Sequence, residues 1–537
     1  MSLKIASAAQ WPTVLARLRA LAPEVFDSEG HILNLAQGRW ANAGKGRAIA
    51  SPIDGTPLGS LPMLDHETAV RAVEASAREG VGWGKVELDE RRRRVSACLD
   101  EMEQHRELLA LLLVWDIGKP YRQAMTSVDR CISGVRWYVE HIERMQGNRA
   151  PLGLISNIAS WNYPLSVLMH AVLVQVLAGN AVIAKTPTEG GLHSLTLAMA
   201  IAKRAGLPVS LVAGSGASLS EALVKHPAID CVAFVGGKST GKPLASWLRE
   251  GDKRYMLEME GVNAYGVWQF SDWKGLASQI QKGFEYAKQR CTAYPRWVVE
   301  RRLMPHFLET YLGVLSKLRV GHPLAVSSDN DALPDVDFAS LISKKQVAEL
   351  EEKIADAVSR GAVPLYRGTL NPAAFIEAQD RAAYLPPVTL LSTPHSCALY
   401  HNEPFGPVDT LVVVDSLEEL IAEMNVSNGS LVSSIACDDA ELAKTIAQDL
   451  RAFKVGHNKL RSRGDREELF GGIGQSWKGC FVGGALLVRA VTAGQPGETL
   501  PGNYEDYRFE ERWTRETEEA LQREAEAGGW AGQPASR

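Results

Sequence analysis

Three residues of this chain have side chains that can together carry covalent chemistry. Cys291 is a potential nucleophile, because a thiolate attacks electrophilic carbon readily. Glu258 lies among apolar neighbours at the end of a predicted strand, where a carboxylate can act as a general base. Asn162 follows another predicted strand, and its amide N–H groups can stabilise a developing oxyanion. Taken singly, a buried cysteine, a salt-bridged glutamate and a turn asparagine explain these residues at least as well.

A second group of residues has the properties of a nucleotide-binding site. Lys185 ends a predicted strand, where its amine can contact a ribose or a phosphate, although a solvated lysine fits equally well. Gly236, Gly237, Lys238 and Ser239 form a strand-to-helix turn whose backbone N–H groups suit a pyrophosphate. This turn has neither the Gly-x-Gly-x-x-Gly pattern nor the P-loop pattern, so alone it is a weak signal.

Length and composition indicate a globular protein of more than one domain. The chain has 537 residues, which is too many for a single hydrophobic core. Its apolar fraction of 45% and charged fraction of 23% are ordinary. The net charge is −5 and no basic stripe stands out, which argues against nucleic acid as the main partner.

The sequence also predicts a cytoplasmic protein without a membrane span or a metal. No apolar run approaches the roughly 18 residues of a transmembrane helix, and the first residues do not resemble a secretion signal. The seven cysteines are scattered, odd in number and without a Cys-x-x-Cys pair. This pattern argues against a disulfide framework and against a zinc site.

The elements that position the candidate residues alternate between strands and helices. Residues 66–148 have helical spacing of apolar and charged residues. Beyond residue 151, short apolar runs alternate with amphipathic helices, which predicts a parallel sheet that binds a nucleotide at the carboxyl ends of its strands. The predicted strands are Leu152–Ala159, Ala181–Lys185, Val209–Ala213, Cys231–Gly236 and Tyr255–Met259.

A second strand-and-helix series predicts another α/β domain. Helices are expected over residues 273–288, 303–317 and 344–359, and a loop over 322–340. We also expect a strand over Leu486–Thr492 and a charged helix over Asn503–Glu526. The remaining predicted strands are Arg296–Glu300, Thr410–Val414, Leu431–Ala436 and Phe453–Gly456.

The order of these motifs resembles the aldehyde dehydrogenase superfamily from about residue 34 to 493. Segment Glu403–Pro407 matches that family's Glu-x-Phe-Gly-Pro signature. Segment Phe470–Gly472 with Ser476 is similar to its later Phe-Gly-Gly…Ser segment, and Asp116–Pro120 is similar to an N-terminal Glu-x-Gly-Lys element.

The resemblance implies an α/β fold with a Rossmann-like cofactor-binding domain, an α/β catalytic domain and a small β oligomerisation arm. The arm implies a homodimer or homotetramer, formed in part by Gly147–Leu152 and Leu486–Thr492. The charged extension is expected to cover a neighbouring subunit. The expected boundaries are 1–128 and 152–259 for the cofactor domain, 260–477 for the catalytic domain, 129–151 and 478–502 for the arm, and 503–537 for the extension.

The resemblance also implies a mechanism. Cys291 would attack an aldehyde to give a thiohemiacetal, and Asn162 with the Cys291 backbone N–H would bind the oxyanion. Hydride transfer to NAD(P) would leave a thioester, which Glu258 would hydrolyse by activating water. A CoA-acylating enzyme and a catalytically silent scaffold of the same fold remain alternatives. The implied cofactor residues are Trp161, Lys185, Thr188, Gly216, Gly236, Gly237, Lys238, Ser239, Glu403 and Phe405.

Four departures from the family pattern affect the expected cofactor site. Thr188 stands where a glutamate often grips the ribose of NAD, which favours NADP, unless Glu189 takes over that role. Gly237 replaces a common serine, and Lys288 replaces a glycine shortly before the nucleophile. Glu260 also replaces a glycine, and it either perturbs the nearby base by repulsion or pairs with a cation as a structural residue.

The candidate substrate-binding residues are inferred only from their positions in the sequence relative to the family motifs. A basic cluster near residues 459–466 can recognise a carboxylate, phosphate or CoA group on the aldehyde. Alternatively it is a solvated loop, balanced by neighbouring acids. The candidate substrate residues are Tyr163, His170, Arg290, Thr292, Arg461 and Arg463.

Overall fold

A computed structural model describes residues 2–41, 44–426, 429–461 and 466–504 of the chain. Arg463, the predicted helix beyond Asn503 and the extension from residue 505 onwards lie outside the described residues. Within the described ranges, no helix combines the length and the apolar character needed to cross a bilayer.

The region 66–148, which was predicted to be helical, forms four successive helices, α2 to α5. Short 3-10 or π turns lie at Pro164–Met169, Glu221–Lys225 and Glu285–Lys288. The α-helices are α1 (Trp11–Leu21), α2 (His66–Trp83), α3 (Leu88–Gln104), α4 (Arg106–Ile117), α5 (Tyr121–Gln146), α6 (His170–Leu177), α7 (Leu192–Arg204), α8 (Gly216–Ser220), α9 (Lys238–Arg249), α10 (Trp273–Phe284), α11 (Met304–Leu315), α12 (Lys344–Ser359), α13 (Ala398–His401), α14 (Leu417–Met424), α15 (Ala440–Asp449) and α16 (Gly484–Ala490).

The strands of the described residues form two large sheets and three small pairs. They are β1 (Lys4–Ile5), β2 (Asn34–Ala36), β3 (Arg39–Ala41), β4 (Lys45–Ala50), β5 (Pro57–Met63), β6 (Ala150–Pro151), β7 (Leu154–Ile158), β8 (Ala181–Lys185), β9 (Val209–Val212), β10 (Cys231–Gly236), β11 (Arg254–Met259), β12 (Ala264–Val267), β13 (Arg296–Glu300), β14 (Ala325–Val326), β15 (Val363–Arg367), β16 (Val388–Leu391), β17 (Val408–Val414), β18 (Val432–Ala436), β19 (Lys454–His457), β20 (Trp477–Cys480), β21 (Thr492–Ala493) and β22 (Gly502–Asn503).

The first large sheet has the strand order β22-β20-β11-β10-β7-β8-β9-β2-β3, with β7 to β11 parallel. Successive residues of β8 face different hydrophobic clusters. Val182 and Ala184 pack into the cluster that contains α3 to α7, whereas Ala181 and Ile183 pack into the cluster that contains α2 and α9. This alternation explains the continuous apolar run of β8, because both faces of a doubly wound sheet are covered by helices.

The second large sheet has the order β15-β16-β17-β13-β12-β18-β19 and is parallel except for β15. Its central strand β13 is also buried on both faces. Trp297 and Val299 join the main core, and Val298 faces the cluster with α14 and α15. The predicted α/β fold with a Rossmann-like sheet and a second α/β unit is therefore confirmed, whereas the proposed domain boundaries stay a prediction.

The predicted strand over Leu486–Thr492 is wrong, because most of this segment forms α16. Most of the segment 129–151 that was expected in the arm also belongs to a helix, the long α5. The buried residues of α5 recur every three or four positions, which is the spacing of a helix packed on one face. What remains of the arm in the described residues is the short antiparallel pair β6 and β21.

The predicted helix over 273–288 ends early. α10 stops at Phe284, and Tyr286, Ala287 and Lys288 follow with φ values of 58°, 51° and 55°. Three left-handed residues in succession cannot continue a right-handed helix. This left-handed turn leads the chain into the segment that carries Cys291.

Candidate active site

Cys291 and Glu258 approach each other between the two large sheets. Glu258 lies near the end of β11 in the first sheet, and Cys291 precedes β13 of the second. The Cys291 thiol donates a hydrogen bond to Glu258 Oε1 at 3.1 Å. Glu258 is only 3% exposed, whereas Cys291 is partly exposed and the other six cysteines are buried. The accessible thiol is therefore the one that contacts a carboxylate.

Asn162 is tied to the loop of the nucleophile. It follows β7 and precedes the π turn that begins at Pro164. Its Nδ2 donates to the backbone carbonyl of Gln289 at 2.9 Å, and its Oδ1 accepts from Ser160 Oγ at 2.5 Å. A side-chain amide has two N–H donors, so this contact uses one of them. The structure thus brings Asn162 to the nucleophile segment.

Asn263 is a positioning residue that the sequence reasoning missed. Its Nδ2 donates to the carbonyls of Cys291 at 2.8 Å and Ala293 at 2.7 Å, and its Oδ1 accepts from the Val432 N–H at 3.1 Å. The side chain is completely buried at the start of β12. A polar residue directly before an apolar strand was the available signal, because a buried amide requires partners.

Lys119 is a buried amine beside the same segment. Its Nζ donates to the Asn162 carbonyl at 2.8 Å and lies 3.8 Å from the centre of the Tyr163 ring and 4.5 Å from that of Tyr286. Burial, together with the positive charges of Arg130 and Arg290, lowers the pKa of Lys119 well below its ordinary value. Lys119 therefore fixes the backbone of Asn162, whose side chain is held by the Gln289 carbonyl.

Glu403 is a buried carboxylate without a hydrogen-bond partner among the described residues. It is 6% exposed, and neither carboxylate oxygen accepts a hydrogen bond from any described residue. Burial and the negative charges of Glu260 and Glu258 raise the pKa of Glu403 well above its ordinary value. Buried polar atoms normally have partners, so these two oxygens are available to form hydrogen bonds with a ligand.

The ring of Trp161, one residue before Asn162, contacts the ring of Phe405, two residues after Glu403. Trp161 and Phe405 meet edge to face, with ring centroids 5.7 Å apart and planes at 88°. Phe405 has a φ of 51°, in the left-handed region that a side chain rarely adopts. The structure thereby brings Trp161 into contact with Phe405, which lies two residues after Glu403 in the chain.

The glycine turn leads into the N-terminus of α9. Gly237 is the N-cap residue of this helix and has no side chain with which to cap it, and Ser239 is exposed. Lys238 is buried, which lowers its pKa, although the carboxylates of Glu260 and Glu403 oppose that shift. Glu260 therefore lies beside the predicted pyrophosphate site. Gly216 begins the short helix α8 and is also exposed.

Lys185 and Thr188 contact each other beyond the end of β8. Lys185 Nζ donates to Thr188 Oγ1 at 3.2 Å and to the Thr186 carbonyl at 3.1 Å. Burial, with a smaller contribution from the cation Arg47, lowers the pKa of Lys185 to about 8. Glu189 instead pairs with Arg47 at 3.5 Å. Arg47, from the distant strand β4, was missed because no local pattern marks it.

Only some of the candidate substrate residues lie close to the segment that carries Cys291. Tyr163 lies beside Lys119, and burial raises its pKa, with Arg290 and Cys291 also near enough to influence it. The edge of the His170 ring packs against Tyr138 of α5, with centroids 5.7 Å apart. Thr292 is partly exposed next to the nucleophile.

The two arginines that the structure describes have structural contacts. Arg290 donates to the carbonyls of Lys282 at 3.1 Å and Gly283 at 2.8 Å near the end of α10. Arg461 pairs with Glu468 at 2.8 Å, and Lys454 contacts the same carboxylate. This balance by a neighbouring acid matches the alternative interpretation of the basic cluster.

Comparisons with known proteins identify the family to which the chain is similar. The family model described as the aldehyde dehydrogenase family matches residues 40–492. The chain is 27% identical to the NADP-dependent glyceraldehyde-3-phosphate dehydrogenase of Streptococcus equinus over 83% of this chain and 94% of that protein. It is 28% identical to the non-phosphorylating aspartate-semialdehyde dehydrogenase of Halomonas elongata over 82% of this chain and 90% of that protein.

A solved structure is similar to this chain over most of its length. The NADP-dependent glyceraldehyde-3-phosphate dehydrogenase from Bacillus halodurans C-125, complexed with NADP, superposes with a TM-score of 0.78 at 27% identity. The match covers 87% of this chain and 98% of that one. With the family model covering most of the chain, the protein belongs to the aldehyde dehydrogenase family of NAD(P)-dependent oxidoreductases.

Proposed function

We propose that this chain oxidises an aldehyde to a carboxylic acid with NADP, using Cys291 as the nucleophile and Glu258 as the base. The observation that carries the proposal is the 3.1 Å contact between the Cys291 thiol and Glu258 Oε1. A partly exposed thiol against a buried carboxylate is the arrangement of an activated nucleophile.

The residues divide the first half of the reaction between them. Glu258 accepts the thiol proton, and Cys291 Sγ forms a bond to the aldehyde carbon while the carbonyl electrons move to oxygen. The second N–H of Asn162 and the Cys291 backbone N–H stabilise that oxyanion. Asn263 and Lys119 hold these two donors in position through the Cys291 and Asn162 carbonyls.

The same residues complete the reaction. A bound nicotinamide supplies the hydride acceptor, and Glu403, Phe405 and Trp161 are the residues that would hold its ribose and ring. The product of oxidation on Cys291 is a thioester. Glu258 first releases the thiol proton to solvent. It then removes a proton from water, the hydroxide attacks the thioester carbon, and the acid leaves as the Cys291 thiolate is released.

Glu258 favours hydrolysis over transfer to CoA, because the base needed to activate water is present and contacts the nucleophile. The presence of Cys291, Glu258 and Asn162 also favours an enzyme over a silent scaffold. An aldehyde panel that includes carboxylate- and phosphate-bearing substrates, assayed with and without CoA, tests both points. Turnover without CoA is expected, and strict dependence on CoA or no turnover with any aldehyde would contradict the proposal.

NADP is proposed over NAD because of the groups around Lys185. The Lys185 amine, the Thr188 hydroxyl and the Arg47 guanidinium can all donate to a 2′-phosphate. The carboxylate of Glu189, which would disfavour that phosphate, is paired with Arg47. Initial rates with both cofactors test this preference. A lower KM for NAD than for NADP would contradict it.

We also propose a homo-oligomer that resides in the cytoplasm. All seven cysteines are free thiols, which is typical of a reducing compartment. The pair β6 and β21 is the remaining candidate for the arm, and Arg149 fastens it by contacts to Glu498 and Thr492. Sedimentation equilibrium would distinguish a dimer or tetramer from a monomer, and a monomer would contradict the proposal.

A further inference from the structure

The carboxylate of Glu260 lies at the N-terminus of α9. Its Oε1 accepts a hydrogen bond from the Lys238 backbone N–H at 3.4 Å. A Cβ atom placed on Gly237 would lie 3.9 Å from Glu260 Oε2, so the carboxylate extends over the first residues of the helix. The backbone of Glu260 is fixed there, because its carbonyl accepts from Ser476 Oγ at 3.0 Å.

This position matters because a helix N-terminus attracts anions. The first backbone N–H groups of a helix have no partner within it, and the helix dipole places partial positive charge there. α9 spans 12 residues, and its N-cap Gly237 has no side chain that could satisfy those groups. Glu260 acts in place of such a cap, and the buried ammonium of Lys238 lies beside it.

A second observation shows that the same space is built for a ligand. Glu403 is more than nine-tenths buried, and neither of its carboxylate oxygens accepts a hydrogen bond from a described residue. Glu403 is close enough to both Glu260 and Lys238 for their charges to act on it. The unpartnered carboxylate of Glu403 therefore lies near the N-terminus that Glu260 covers.

We propose that Glu260 is an internal anion that competes with the diphosphate of the cofactor for the N-terminus of α9, and so weakens dinucleotide binding. This proposal rests on the proposed function, because it assumes that a dinucleotide binds here. A diphosphate and a carboxylate cannot share the same few N–H donors without strong repulsion. Binding therefore requires Glu260 to turn away and to give up its contact with the Lys238 N–H.

The proposal predicts a gain of affinity when the charge is removed. Loss of the competing anion is expected to make dinucleotide binding about tenfold tighter. Glu260→Gln removes the charge and keeps the size of the side chain, and Glu260→Gly removes both. Glu250→Gln is the matched control, because Glu250 is exposed at the opposite end of the same helix.

The experiment is isothermal titration of the full-length chain with NADP, NAD, ADP and adenosine. We expect both Glu260 variants to bind NADP, NAD and ADP about tenfold more tightly than the unmodified chain. Adenosine, which has no diphosphate, should bind equally well to all variants, and Glu250→Gln should bind every ligand as the unmodified chain does. A gain that extends to adenosine would contradict competition for the diphosphate site.

Other outcomes would overturn the proposal in distinct ways. Equal NADP affinities of the unmodified chain and Glu260→Gln would show that the carboxylate does not compete. Weaker binding by Glu260→Gln would make Glu260 a cofactor ligand. If the glycine variant does not fold, the glutamine variant decides alone. Absence of NADP and NAD binding in every variant would overturn the proposed function as well, whereas equal, measurable binding would overturn only the role of Glu260.

Discussion

The direct contact between Cys291 and Glu258 lets the same carboxylate serve as the base for the thiol and for water. The thiol proton can pass directly to a carboxylate oxygen at 3.1 Å, without an intervening group. Once the thioester has formed and Glu258 has released the thiol proton to solvent, the same carboxylate can accept a proton from water. Both the formation and the hydrolysis of the intermediate therefore depend on Glu258.

Replacement of Glu258 by glutamine is expected to lower kcat by about 10²–10⁴-fold. An amide of the same size cannot accept the proton of either the thiol or water at neutral pH. The measurement is the steady-state rate of NADPH formation with the best aldehyde of the panel, together with the dissociation constant of NADP, which should change little. Glu349→Gln, on the exposed face of α12, is the control. A kcat within threefold of the unmodified chain would contradict the role of Glu258.

The affinity for NADP is expected to fall as the pH rises through 8. The pKa of the Lys185 amine is lowered to about 8, so the amine is mostly cationic at pH 7 and mostly neutral at pH 9. A neutral amine cannot pair with the 2′-phosphate, and the fraction of cationic Lys185 drops about tenfold over this range. Fluorescence titration between pH 7 and pH 9 should show a corresponding rise in the NADP dissociation constant.

NAD is the internal control for this pH dependence, because it has no 2′-phosphate. Lys185→Met should flatten the NADP profile and weaken binding at pH 7. Parallel NADP and NAD profiles in the unmodified chain would show that Lys185 does not contact the phosphate.

Sequence reasoning found those site residues whose chemical type and position next to a predicted strand both indicated a function. Cys291, Glu258 and Asn162 are brought together: Asn162 follows β7, Glu258 lies near the end of β11, and Cys291 precedes β13 of the other sheet. Arg47 and Asn263 were missed for a physical reason. Their roles depend on contacts with residues that are distant in the chain, and those contacts are set by the packing of whole elements.

At the scale of elements, the left-handed turn before the nucleophile is stabilised by a buried ion pair. Lys288 Nζ contacts Asp409 Oδ1 at 2.5 Å and the Tyr294 carbonyl at 2.8 Å, and both charged side chains are at most 2% exposed. Asp409 also accepts from Trp297 Nε1 at 3.0 Å and Tyr311 at 2.8 Å. The left-handed residues each cost roughly 1–2 kcal/mol, so these contacts are what makes the turn tolerable.

Replacement of Lys288 by methionine is expected to destabilise the chain by about 3–5 kcal/mol. The substitution leaves the carboxylate of Asp409 buried without its cation. Denaturant unfolding measures the loss, and Lys345→Met, at a largely exposed lysine of α12, should change stability by less than about 0.5 kcal/mol. The double variant Lys288→Met with Asp409→Asn should be more stable than Lys288→Met alone, since no unpaired charge remains. Additive losses would contradict the pairing.

The type of an element, helix or strand, was predictable where the length and the flanking residues of an apolar run allowed only one of the two. The strands β8, β10 and β13 have the predicted bounds, because each is a short run buried on both faces and flanked by polar or turn residues. The segment that forms α16 contains a similar apolar run, but Gly483 and Gly484 with positive φ lead into a helix instead. A short apolar run alone does not distinguish a buried helix from a buried strand.

At the scale of the whole molecule, the active site is assembled across the two large sheets. The first sheet supplies Glu258 from β11 and Asn162 after β7, and Cys291 and Glu403 lie in the segments that precede β13 and β17 of the second sheet. Hydrogen bonds from Asn162 to the Gln289 carbonyl and from Cys291 to Glu258 connect the two sides. A cofactor that contacts Lys185 beside one sheet and Glu403 beside the other therefore bridges both.

Binding of NADP is accordingly expected to stabilise the molecule as a single unit. At a free concentration of about 100 times its dissociation constant, a ligand that binds only the folded state adds about 2.7 kcal/mol. For a chain of this length, that corresponds to a rise in Tm of about 2 °C in differential scanning calorimetry. Glu403→Gln, examined at the same NADP concentration, should show a smaller rise, because the ribose contact is weakened. Two separate transitions, of which NADP raises only one, would show that the sheets unfold independently and that the cofactor does not bridge them.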